Sequence, residues 1–244
     1  MSRIAIIAAM PGELKPLVKG WKSVPTGQRF VYKWMMQAGD DEWVAVCAGM
    51  GADAATRAFA QAEASGPLDV VLSIGWAGAL REDGYPGEFH IPSVVVNAQT
   101  GERVTLAVRA QPVVLVTTAH VADEAEKRRL AESYKGTIVD MESATIVRLA
   151  QMRGLPVCCM KIITDEMTAK LPNLNPFINA MGQMEMGRFI GHVLLRPAYW
   201  PALMRLGRAS ENGAKYLSSA VTHFLIHREP RDVHEINRTG NIPE

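Results

Sequence analysis

Apolar runs separated by short polar breaks mark most of this chain as buried strands alternating with amphipathic helices. Arg3–Met10 (RIAIIAAM), Leu68–Ile74, Pro112–Thr117 and Val157–Ile163 are apolar almost without interruption. That is the pattern of strands covered on both faces. Thr137–Met141, a helix over Ser143–Met152 and Val157–Ile163 read as one strand–helix–strand unit. Ala144, Val147 and Ala150 share a stripe of its helix, and Gly154 and Pro156 end it. Phe30–Gln37 and Glu42–Cys47 read as adjacent antiparallel strands joined near Gly39–Asp40. Further helices are expected from Glu13 to Lys19, over Ala52–Ala64 after Gly49-Met50-Gly51, and over Asp123–Glu132, whose alternating charges suit a wet face. Gly75–Ala79 reads as small residues after its strand, either exposing backbone N–H groups to a ligand or simply making a tight turn. Gly87–Val96 reads as a strand broken at Pro92, and Asn97–Arg103 as a turn. In the last third, Met167–Asn175 is a polar loop and Pro176–Leu195 is expected to be helical. Trp200–Arg208 and Gly213–Ile226 read as two further amphipathic helices. Residues 1–226 then form one domain, and 227–244 a polar, mobile tail.

Composition narrows the class. Nearly half of the 244 residues are hydrophobic, enough for a substantial core, and the net charge is +1. A dedicated nucleic-acid binder would need a basic face. Three cysteines, two of them adjacent, make no disulfide framework, which fits a reducing cytoplasm. Their spacing, and that of six scattered histidines, matches no zinc site. The first ten residues lack the layout of a signal peptide, and no apolar run has the length of a membrane span.

The candidate chemistry lies at strand ends. Asp140 and Glu142 follow one strand of the central unit, and Asp165 and Glu166 follow the other. In open α/β sheets ligands bind beyond the carboxyl ends of strands, so Glu142 and Asp165 are expected in one crevice. Glu13 sits where a helix opens after Pro11-Gly12, either as a helix-start acid or as a functional one. The Gly75–Ala79 stretch leaves room for a ligand. His120 ends the Pro112–Thr117 strand region and is placed either on a base or at the surface. No complete dinucleotide fingerprint or P-loop is present.

Four stretches together resemble a known family. Ile7-Ala8-Ala9-Met10 with Glu13, Gly75-Trp76-Ala77-Gly78, Val139-Asp140-Met141-Glu142-Ser143-Ala144 and Ile163-Thr164-Asp165 occur in the order seen in the purine nucleoside phosphorylase and nucleosidase superfamily. The resemblance runs from about Ile4 to Asp165 and is greatest to the methylthioadenosine/S-adenosylhomocysteine nucleosidase branch. The NAQTGER turn, the VDMES stretch, the LPNLNPF loop and the basic helical tail further resemble hopanoid-associated members, which act on adenosylhopane.

The resemblance implies a three-layer α/β fold with a mixed central sheet flanked by helices, and cleavage of a purine N-glycosidic bond. It assigns Asp165 to protonation of, or a hydrogen bond to, the purine N7, which makes the base a better leaving group. Glu13 would orient and activate water, Glu142 would bind the ribose hydroxyls, and Met141 would pack on the sugar. Ala9, Gly75, Trp76, Ala77, His120 and Val121 complete the expected substrate-binding set. A homodimer is implied, with no metal and no cofactor; phosphate is a co-substrate if the enzyme is a phosphorylase. Arg57, Arg81 and Lys161 are the cations available for phosphate. Two departures from the family pattern stand out. Trp76 replaces a usual Ser, and Ala119-His120-Val121 replaces a stretch that usually carries an Asp and a base-stacking Phe. They leave open a methylthioadenosine/S-adenosylhomocysteine nucleosidase, a phosphorylase, or a nucleoside-binding protein without catalysis. The C-terminal helices combine apolar and cationic residues, which suggests peripheral contact with a membrane surface by an otherwise cytoplasmic protein.

Overall fold

The computed structural model describes residues 2–106 and 112–227. In chain order these form β1 (Arg3–Ala8), α1 (Pro11–Leu14), β2 (Lys22–Val24), β3 (Tyr32–Ala38), β4 (Asp41–Cys47), α2 (Ala52–Glu63) and β5 (Val70–Ala79). Four short strands follow, β6 (Phe89–His90), β7 (Val94–Asn97), β8 (Arg103–Thr105) and β9 (Val114–Thr117). Then come α3 (Glu124–Tyr134), β10 (Ile138–Asp140), α4 (Ser143–Gln151), β11 (Val157–Asp165), α5 (Met186–Leu194) and α6 (Trp200–His227). The strands make one mixed sheet flanked by helices, a three-layer α/β fold. All but His227 of the expected C-terminal tail lies outside the described residues.

Alternation along β1 builds the two faces. Ile4 and Ile6 pack with Leu14, Leu72, Met160, Ile162, Leu217 and Val221, on the side of α1 and α6. Ala5 and Ile7 pack with Ala55, Phe59, Val71 and Ile146, on the side of α2 and α4. A third cluster around Leu80, Val116 and Val139 receives Leu130 from α3.

β5 is where the sheet changes partners. Its first half runs parallel to β1 as far as the Ile7–Ser73 pairing. Its last residues, Gly78 and Ala79, pair antiparallel with β10, while β11 follows its other edge in parallel throughout. Between Ser73 and Gly78 one edge of β5 therefore lacks a neighbouring strand, a gap of the kind where open α/β sheets bind ligands. Opposite the Ala77–Gly78 step β11 carries one extra residue, Thr164. Such bulges locally redirect side chains, and here the next residue is Asp165.

Four expectations are corrected. Gly75–Ala79 is not a turn but the second half of β5, because β10 and β11 supply ladder partners that its small residues do not announce. Trp200–His227 is one helix of 28 residues rather than two. Gly213 does not interrupt it; a Cβ there would lie 3.0 Å from Ile162 Cγ2, so glycine permits close helix–sheet packing. Residues 176–195 are not one helix. Asn175–Phe177 form a 3-10 turn, and the Asn179 side chain then accepts from the amides of Met181 and Gln183 at 2.9 and 3.0 Å. Gly182, at φ +71°, completes the reversal, and Ile178 bridges to Met184. That local hydrogen bonding competes with helix, so α5 begins only at Met186. The first helix is likewise a single turn, Pro11–Leu14, short of the expected Lys19.

Candidate active site

The gap in β5 is filled by Glu13. β1 stops at Ala8, and Pro11-Gly12 open the single turn of α1 so that the Glu13 carboxylate enters the space that β1 leaves. Oε1 accepts from the Trp76 amide at 2.8 Å and Oε2 from the Met10 amide at 2.6 Å. Gly75 makes this possible, since a Cβ at that position would stand 2.5 Å from Glu13 Oε1. Glu13 is only 3% exposed. Burial pushes its carboxyl above the usual range, partly countered by the two amides and by the charge of Lys161. A carboxylate with a raised pKa is a better proton acceptor near neutrality.

Glu142 stands between the end of β10 and the start of α4. Its Oε1 accepts from the Gly51 amide at 2.7 Å, tying it to the turn before α2. Burial, reinforced by the neighbouring Asp140 carboxylate, raises it to about 8, against the pull of Lys161. Asp140 itself is occupied by the fold. It accepts from Thr117 Oγ1 at 2.7 Å, from Ser143 Oγ at 2.6 Å and from Lys161 Nζ at 2.9 Å. Lys161 is 1% exposed; its burial is outweighed by Asp140 and the other nearby anions, which hold its ammonium protonated. The one charge inside the apolar β11 run is thus a buried counter-ion beneath the two glutamates.

Asp165 follows the bulge, with Thr164 Oγ1 donating to its Oδ1 at 3.2 Å. Its Oδ2 accepts from Lys127 Nζ, which also donates to the Glu166 carbonyl oxygen at 2.7 Å.

One cleft collects these groups. Ala9, Glu13, Trp76, Ala77, His120, Val121, Met141, Glu142 and Asp165 all border it. Of the expected set, Gly75 alone does not, and acts from behind through the seat of Glu13. The Trp76 ring lies against Gly12, and its buried Nε1 has no hydrogen-bond partner. The three cations considered for phosphate are directed elsewhere. Lys161 is held by Asp140, Arg57 donates to the carbonyls of Ala48 and Met181, and Arg81 pairs with Glu88 at 2.5 Å. The cleft also takes Leu171 and Leu174 from the polar loop and Leu206 from α6.

Sequence alone does not single out Lys127, because α3 reads as a solvated helix. The signal was its phase: Lys127, Leu130, Ala131 and Tyr134 follow the spacing of an inward stripe, and Lys127 is 3% exposed. Among the described residues no cluster of histidine, cysteine or carboxylate side chains could hold a metal ion, and no helix is long and apolar enough to cross a membrane.

The sequence profile of the phosphorylase superfamily matches residues 3–112 and 108–186. No curated protein sequence matches the chain. Solved structures with the same fold include Helicobacter pylori 5′-methylthioadenosine/S-adenosylhomocysteine nucleosidase, at 15% identity and TM-score 0.71, covering 93% of this chain and 99% of that one. Native futalosine hydrolase of the same organism gives 15% identity and TM-score 0.71, covering 93% and 98%. Arabidopsis thaliana 5′-methylthioadenosine nucleosidase gives 14% and 0.74, covering 96% and 99%. At such identities these likenesses speak for the fold.

Proposed function

The chain belongs to the phosphorylase superfamily, and from that premise we propose that it hydrolyses an adenine nucleoside to free adenine and a sugar. The observation that carries this reading is the seat of Glu13. Two backbone amides and one missing side chain place a buried carboxylate of raised basicity in the same cleft as Glu142 and Asp165. Water held by Glu13 attacks C1′ as the glycosidic bond lengthens, and the carboxylate stabilises the oxocarbenium-like centre. Glu142 accepts from the ribose hydroxyls, Met141 packs on the sugar, and Asp165 serves N7. The electrostatics favour water over phosphate as nucleophile. Among the described residues the one lysine or arginine bordering the cleft is Lys127, and it is already paired.

For the substituent at C5′ the sequence resemblance favours an adenosyl lipid of the adenosylhopane type. The leucines of the cleft rim support an apolar substituent. A methylthioadenosine or S-adenosylhomocysteine substrate is the second reading, supported by the thioether side chains of Met50, Met141 and Met184 in the wall. Incubation with adenosylhopane, methylthioadenosine, S-adenosylhomocysteine and inosine, each with and without phosphate, separates these readings. Strict phosphate dependence with a sugar 1-phosphate product makes the protein a phosphorylase, and binding without base release makes it a binding protein.

The lipid reading extends to a surface. Met186, Ile190, Leu194, Leu195, Trp200 and Met204 are exposed on α5 and the start of α6. Residues 186–208 carry four arginines and no acid, and Leu206 within that stretch borders the cleft. We assign this face to peripheral contact with an anionic bilayer. Flotation with phosphatidylglycerol vesicles is expected, and is expected to weaken in Arg205→Glu/Arg208→Glu; protein that never floats overturns the assignment. A homodimer belongs to the same proposal, and a stable, fully active monomer in sedimentation overturns it.

A further inference from the structure

Asp165 does not meet the substrate alone. Lys127 Nζ donates to its Oδ2 and to the Glu166 carbonyl oxygen, from a position that is 3% exposed. The neighbouring cations of α3 behave otherwise: Arg128 and Arg129 pair at the surface with Glu82, Glu124 and Glu126. The inward turn of Lys127 places an ammonium against the carboxylate assigned to the leaving base. The pair brings a second proton-bearing group into hydrogen-bond contact with that carboxylate.

We propose that Lys127 is the proton store of the site and supplies, through Asp165, the proton that leaves on the purine. This rests on the nucleosidase reading above. The proton passes from Lys127 Nζ to the Asp165 carboxylate and from there to N7. The C1′–N9 bond breaks with its electron pair moving into the purine, which departs as the neutral base. Water adds its oxygen to C1′ and gives its proton to Glu13. After product release Glu13 returns that proton to solvent and the Lys127 amine takes one up, so the net reaction consumes one water. A lysine suits this task where an arginine does not, because a guanidinium keeps its proton in proteins whereas an amine in a desolvated site can give one up.

The test compares two leaving groups across three variants. The substrates are the adenine nucleoside that wild type hydrolyses and p-nitrophenyl riboside, whose phenolate departs without protonation. Lys127→Met, Lys127→Gln and Lys127→Arg are expected to lower kcat for the adenine nucleoside by about 100-fold, the usual worth of a positioned acid. The same variants are expected to lower p-nitrophenyl riboside turnover by less than about 5-fold, since that reaction bypasses the acid. Equal losses on both substrates overturn the proposal and leave Lys127 a packing residue. Full activity of Lys127→Arg on the adenine nucleoside also overturns it, because charge and position would then suffice. Asp165→Asn separates the two levels: wild-type turnover in that variant removes the acid role of Asp165 itself, whatever Lys127 does.

Discussion

A single methyl group at Gly75 should disable the site without touching the substrate. Gly75 sits in β5 at φ +150°, and a Cβ there would lie 2.5 Å from Glu13 Oε1 and 3.2 Å from its carboxyl carbon. Ordinary carbon–oxygen contact needs nearly 1 Å more, so in Gly75→Ala the carboxylate must retreat by about that distance, a misplacement that can cost about 100-fold in rate. Retreat breaks the 2.8 Å bond from the Trp76 amide and leaves a buried donor unpaired. The combined cost in stability is on the order of 1–3 kcal/mol, which at this chain length lowers Tm by about 2–4 °C per kcal/mol. The assay is kcat for base release beside a thermal melt, with Glu13→Gln and the double variant in the same series. If Gly75 acts only by seating Glu13, the second change adds almost nothing to the first, the signature of coupled residues. Wild-type kcat in Gly75→Ala, or losses that simply multiply, would refute the reasoning.

Two further predictions concern the buried charges. Glu142 is raised to about 8 in the fold, so the native state favours its protonated form. That contribution to stability is complete below the carboxyl's ordinary pKa near 4.3 and is lost as pH rises towards about 8. Wild type should therefore lose stability relative to Glu142→Gln over that window in denaturant titrations; a difference independent of pH contradicts the cause assigned. Lys161→Met should strand Asp140 as an uncompensated buried charge and cost about 3–5 kcal/mol in urea unfolding, whereas a loss within 0.5 kcal/mol, the range of an ordinary surface substitution, would show that Asp140 does not depend on it.

Local pattern and tertiary context divide the legible from the hidden in this chain. The runs at Arg3–Ala8 and Val157–Ile163 were recognisable because both faces of those strands are buried, and the hairpin of β3 and β4 because its turn is local, at Gly39 and Asp40. Acids placed after strands pointed to one crevice, and the cleft does gather Glu13, Glu142 and Asp165. The unread features depend on partners distant in sequence. Gly213 looks like a helix end until Ile162 is seen against it, and Gly75 looks like a turn until Glu13 is seen beside it. Lys127 looks solvated until its acceptors across the cleft are known. The reversal at residues 178–184 is a different case. Its Asn179 and Gly182 signals are local, but the apolar positions around them imitate a helical stripe.

The central claim is that Glu13 drives attack by water in this cleft. It is tested most directly by measuring adenine release from an adenine nucleoside in phosphate-free buffer, for wild type and Glu13→Gln, with the sugar product identified. Wild type is expected to yield adenine and free sugar in equal amounts, and Glu13→Gln to be slower by about 100-fold or more. Adenine release that requires phosphate and yields a sugar 1-phosphate, or a Glu13→Gln variant as fast as wild type, would contradict it.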